Sequence, residues 1–169
     1  GYFWTRVLGH PNVRAPTPAE RGAVDWTALG RTFDAMTRAA RAPVVFKSFA
    51  FGFHAARAGA LRERLLFLRT RRDPVATARS ILRLREGLAG DTAAWAGFRP
   101  SGWADQRHGT SEEQVAWQMR AMDDGLDEAL RDARVVEVDH ATLCDDPEGV
   151  LDEVQQALGE LGPAPERTG

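Results

Sequence analysis

The chain holds a single cysteine, Cys144, which excludes an internal disulfide and any multi-cysteine metal site. Lysine is as scarce: Lys47 is the only one among 22 basic residues. No apolar run approaches the roughly 20 residues of a membrane span, so no membrane partner is expected. Gly1 to Arg6 lack a basic region followed by an apolar one, so no signal peptide is expected and the chain reads as cytoplasmic. Neither sign of charge dominates. The net charge of −2 offers nothing to bulk nucleic acid. His10, His54, His108 and His140 are scattered without ligand spacing, so no metal site is expected. Repeats and low-complexity tracts are also missing.

What remains is ordinary for one globular domain. There are 169 residues, 43% hydrophobic and 27% charged, enough to bury a core. Gly1 to Pro18 is aromatic first and then loop-like. Leu29, Phe33, Met36 and Ala40 fall at helical spacing and predict a helix from about Trp26 to Arg41, closed by Pro43. Val44 to Phe49 reads as a strand buried on both faces. Gly52 and His54 open a shorter helix to about Arg64, with His54 as a cap. Leu65 to Arg69 is a second buried strand. Asp73 then caps, and Pro74 starts, a helix to about Glu86.

The stretch from Gly90 to Thr110 has no period and reads as an irregular loop or lid. Its Trp95, Phe98 and Trp103 suit either an acceptor pocket or aromatic packing beneath a loop. Ser111 to Gln114 resembles a capping box with Gln114 at the third helical position. The helix that follows runs to about Arg131. Val115, Met119, Met122, Leu126 and Leu130 form its apolar stripe, with Trp117 opposite in an inter-element contact. Val135 to Asp139 is a third strand, and Asp146-Pro147 starts a last helix to Gly159. Cys144 reads as a small buried hydrophobe. Gly162 to Gly169 is a loose tail.

Strands alternating with helices imply an α/β fold with a parallel sheet flanked by helices. Ligands in such sheets bind beyond the carboxyl ends of the strands. Lys47, Arg72 and Asp139 all fall at predicted strand ends.

The most telling segment is Leu65 to Ser80, a buried strand that enters an Arg72-Asp73-Pro74 turn and then a helix. Ser80 follows Arg72 by about two helical turns. A guanidinium fork and a hydroxyl brought together there can hold a phosphate. The bland alternative is a solvated Arg before a common Asp-Pro helix start.

This segment resembles the sulfotransferase family, whose members grip the 3′-phosphate of 3′-phosphoadenosine 5′-phosphosulfate (PAPS) with an Arg and a Ser at this spacing. Phe46-Lys47-Ser48 is similar to the family's Lys-Ser strand end. Glu113 to Gln118 resembles its Trp-bearing helix. Val138 to Pro147 resembles its Tyr-Glu-Asp-Leu-x-x-Asp-Pro segment, with Asp139 and His140 in place of the Tyr-Glu pair. The likeness runs from about Pro43 to Gly162.

The resemblance implies a P-loop-type architecture in which Arg72 and Ser80 bind the donor. Lys47 would stabilise charge developing on the leaving nucleotide, although it also suits a surface stem with its head in water. Arg69 and Arg71 read as surface charges able to add to the positive field. PAPS is then the co-substrate, no metal is needed, and the acceptor is a hydroxyl or amine on a small molecule or glycan.

The family's Gly-x-x-Arg-Ser-Gly-Thr-like loop for the 5′-phosphosulfate has no counterpart before Tyr2. Glu166 to Gly169 could only begin its late basic loop. A partial or degenerate domain lacking the first phosphate-loop strand is therefore expected, with a gap or exposed edge in the sheet. The alternatives are a P-loop phosphotransferase fragment and a non-catalytic module that binds a nucleotide or a protein.

Overall fold

The computed structural model describes residues 2–11, 13–106 and 109–161. The expected tail from Gly162 and the residue His108 lie outside them. Four helices come first: α1 (Tyr2–Leu8), α2 (Pro18–Gly22), α3 (Trp26–Ala40) and α4 (Phe49–Gly52). Two 3-10 turns, Ala55–Arg57 and Gly59–Arg64, lead into β1 (Leu66–Arg71). Then come α5 (Pro74–Ala89), α6 (Ser111–Leu130), β2 (Arg134–Asp139), α7 (His140–Asp145) and α8 (Pro147–Gly159).

β1 and β2 pair in parallel, from Leu66 opposite Arg134 to Arg71 opposite Asp139. Among the described residues this is the whole sheet. The chain is thus mixed α/β, with a two-stranded parallel sheet flanked by helices. Alternate strand residues share a face, and paired residues of parallel strands lie on the same face. Val136 and Val138 pack on Val150 and Val154 of α8, together with Leu66 and Leu143. Phe67 lies on the other face and joins the larger core with Met122 and Leu126 of α6. Aromatics dominate that core: Trp4 lies 4.7 Å from Phe51, and Phe53 stacks on Phe98 at 5.1 Å.

Val44 to Phe49 corrects the sequence reading. Residues 43–48 form no regular element and pair with no strand among the described residues. An apolar run becomes a buried strand only if neighbours cover its faces and edges, and here Val45 is 81% exposed. The carbonyl of Lys47 accepts from Trp4 Nε1 at 3.2 Å instead of from a ladder. Phe46 is the anchored residue, stacked on Phe3 at 5.6 Å.

Other boundaries move for local reasons. The N-terminal segment, read as aromatic first and then loop-like, holds α1 because Trp4 and Leu8, one turn apart, both enter the core. The helix expected to start at Gly52 or His54 is instead α4, capped by Ser48, followed by the two 3-10 turns. The capping box of α6 sits one residue earlier, with Thr110 as cap and Glu113 reaching back. α5 continues past Gly87 to Ala89, and Gly90 ends it in the left-handed conformation, φ 67°.

α4 and α6 approach closely enough that glycine is required. A Cβ on Gly125 would lie 2.7 Å from the Phe53 ring, and one on Gly52 2.9 Å from Leu126. Phe53 is held by Phe98 and cannot swing aside. Gly125→Ala is expected to cost about 1–3 kcal/mol by overpacking, net of the helix propensity it gains. A rise in the urea midpoint would show that the contact is slack.

Candidate functional site

The two strands end side by side, and each feeds a helix. Arg71 is the last residue of β1, and Arg72 follows it exposed to solvent. Asp73 Oδ1 then accepts from Ala76 N at 2.7 Å, which caps α5, and Pro74 occupies the first helical turn. Ser80 is half-buried in the second turn. On β2, Asp139 accepts from Thr142 N at 3.0 Å and so caps α7. That backbone bond holds the Asp139 carboxyl below its ordinary value.

Lys47 is exposed in the 43–48 segment, its Nζ 5.9 Å from the Phe49 ring centroid. Among the described residues, no hydrogen bond or ion pair links Lys47, Arg72 and Ser80 to one another. Arg72 thus lies in the β1–α5 turn, Ser80 in the second turn of α5, and Lys47 in a segment outside the sheet.

Arg69 and Arg71 do not serve as free positive field. Arg69 donates to Asp123 at 2.9 Å and also pairs with Asp127. Arg71 Nε donates to Glu137 at 2.7 Å. The Arg69 guanidinium holds Asp127 below the usual carboxylate range. An open depression lined by Arg69, Asp127, Arg131 and Glu137 lies along this network, with most of its polar groups already paired.

The aromatics of the 90–110 segment split. Phe98 is 6% exposed and belongs to the main core. Trp95 packs on Trp103 and Trp117, with centroids 5.6 and 6.2 Å away. That arrangement is packing beneath a loop, and Trp117 is the inter-element contact its position implied. Cys144 is exposed rather than buried, 3.8 Å from His140 Nδ1 on the surface of α7. A seven-residue stretch from His140 to Asp146 offers too little chain to bury that face.

Two buried polar groups went unread in the sequence. Arg85 is fully buried in α5. Its Nη1 donates to Gln114 Oε1 at 3.1 Å and to the Thr92 carbonyl at 3.3 Å, and its Nη2 to Gln118 Oε1 at 3.1 Å. Burial lowers its pKa, and among the described residues no carboxylate pairs with it. Ala78, Ile81 and Leu82 share its helical face, and that spacing was the available signal. The second group is His10 with His54, hydrogen-bonded inside the core. His54 makes no side-chain capping bond, so the capping role does not hold.

No protein-family model matches the chain, and no curated protein or solved structure matches it significantly. Among the described residues there is no cluster of potential metal ligands and no helix long and apolar enough to cross a membrane.

Proposed function

We propose that the chain is the donor-binding part of a PAPS-dependent sulfotransferase of P-loop-type architecture. The observation that carries the reading is the junction of β1 and α5. A parallel strand delivers Arg72 to the carboxyl edge, Asp73 and Pro74 start a helix there, and Ser80 lies in that helix. An exposed Arg with no partner among the described residues is available to a phosphate in bidentate fashion, and the Ser hydroxyl can donate a further bond.

In this reading Arg72 and Ser80 hold the 3′-phosphate. Lys47 neutralises charge as the bond from sulfur to the bridging oxygen of the nucleotide breaks. The acceptor is a hydroxyl or amine that attacks sulfur in line, and no metal is required. A second reading, a non-catalytic nucleotide-binding module, is favoured by one observation. The sequence of residues 1–169 holds no Gly-x-x-Arg-Ser-Gly-Thr-like motif and no Gly-Lys-Ser/Thr motif.

Titration calorimetry with 3′,5′-diphosphoadenosine tests the shared part of both. Arg72→Ala is expected to weaken binding by about 1.5–3 kcal/mol, the loss of a hydrogen bond to a charged group. An unchanged dissociation constant removes Arg72 from the site.

A further inference from the structure

His10 and His54 face each other nitrogen to nitrogen, Nε2 to Nε2, at 2.8 Å. Both are buried, at 2% and 0% exposure. The bond joins the chain just after α1 to the chain just after α4. Its proton inventory follows from the neighbours. His10 Nδ1 lies 3.0 Å from the Pro11 carbonyl, which can only accept, so that nitrogen carries hydrogen. A neutral His10 then presents a lone pair at Nε2, and His54 must supply the hydrogen from its own Nε2. His54 Nδ1 is left bare, buried, and without a partner among the described residues.

The pair therefore has room for two protons and no third. A proton added to His10 Nε2 would set two N–H groups against each other at 2.8 Å and break the bond. A proton added to His54 Nδ1 would create a buried cation with no acceptor, which is costly. The surroundings agree. Burial first, then His10 and Arg21, push the His54 pKa down to about 4, with Arg57 acting the same way and Glu20 opposing. Glu20 and Arg21 belong to α2 and Arg57 to the turn after α4. From α3, Trp26 brings an uncharged ring, 6.1 Å from the His54 centroid.

We propose that the His10–His54 pair is an acid-released clamp: neutral, it ties the end of α1 to the segment after α4, and a third proton unties them. α1 also carries Trp4, whose Nε1 holds the Lys47 carbonyl. Release of α1 thereby loosens the segment bearing the lone lysine. The clamp stands whatever ligand the chain binds.

The sign follows from linkage. The unfolded chain protonates His54 near its ordinary 6.5 and the folded chain near 4, so stability falls as the pH drops between them. The folded-to-unfolded ratio should fall by up to about tenfold per pH unit in that window.

Imidazole 15N–1H spectra of the 169-residue chain, recorded from pH 7.5 to 4.5, test it. His54 is expected as the Nε2–H tautomer and His10 as the Nδ1–H tautomer. The His54 ring should not titrate above about pH 5, and its protonation should coincide with loss of amide protection in α1. A His54 ring that titrates near pH 6.5 while α1 stays protected would overturn the clamp. As a second measurement, His54→Phe should flatten the pH dependence of the urea midpoint between pH 6.5 and 5. An unaltered dependence would also overturn it, and if the variant does not fold, the spectra of the unsubstituted chain decide.

Discussion

Sulfuryl transfer from PAPS by residues 1–169 alone is expected to stay at background. Charge changes in this reaction at the 5′-phosphosulfate, where the resemblance calls for a cradle of backbone N–H groups. No such glycine-rich loop occurs in the sequence. Removing one preorganised donor costs about 10²–10³ in rate, so the loss of a whole cradle should exceed that range. Binding of 3′,5′-diphosphoadenosine can persist without turnover, because Arg72 and Ser80 would grip the phosphate remote from the reacting sulfur. The decisive measurement is a labelled-PAPS assay against a panel of hydroxyl and amine acceptors. Turnover above background would mean that another segment supplies the cradle, with the exposed 43–48 segment the first place to look.

Arg85→Ala is expected to cost about 2–5 kcal/mol of stability, the range for truncating a large buried side chain. Two effects act together. The Oε1 atoms of Gln114 and Gln118 and the Thr92 carbonyl lose their donor. An unsatisfied buried acceptor costs about 1–3 kcal/mol. The deletion also opens a cavity beneath Trp95, whose ring lies 5.1 Å from the Arg85 guanidinium carbon. Against these stands the relief of desolvating a cation with no anion beside it, worth several kcal/mol in an apolar site.

The neutral acceptors decide the balance. Gln118 also donates to the carbonyls of Ala96 and Phe98 at 3.1 and 2.8 Å, so it pins the 90–100 segment to α6. Loss of Arg85 frees Gln118 to turn, and the segment should loosen with it. Urea unfolding followed by far-UV dichroism gives the stability change, and amide exchange at 95–99 gives the loosening. A loss under about 1 kcal/mol would mean that relief of the buried charge cancels the broken bonds.

Much of the fold was legible where one physical signal acts alone. The spacing of Leu29 and Phe33 marks α3. The Asp-Pro pairs at 73–74 and 146–147 mark the starts of α5 and α8, because an Asp cap and a Pro with its fixed φ suit that position. The runs 65–69 and 135–139 became the paired strands.

The failures share a cause: the property depends on a neighbour distant in sequence. Val44 to Phe49 has strand composition, but a strand is defined by its partner, and none lies beside it. His54 and Arg85 are polar residues at apolar positions, so hydropathy hides them. His10 for the one, and Gln114, Gln118 and the Thr92 carbonyl for the other, make their burial tolerable. At the candidate site, the placement of Arg72 and Ser80 could be read because both lie on one continuous strand–turn–helix. Any approach of Lys47 depends on tertiary packing that local sequence does not encode.

The pairing of Leu66 with Arg134 also fixes an order of events in folding. Every β1 hydrogen bond to β2 waits for α5, the irregular segment and α6 to fold back on themselves. Closing a loop of that length costs roughly 3–4 kcal/mol of chain entropy before the first ladder bond returns anything. α5 and α6 need only local contacts and can form in microseconds. The parallel pair should therefore assemble last and set the folding rate, as non-local strand pairing does elsewhere. In the reverse direction, those β1 amides that bond to β2 should exchange with solvent only when the whole excursion opens. Their protection then measures the opening of the entire domain rather than a local fluctuation.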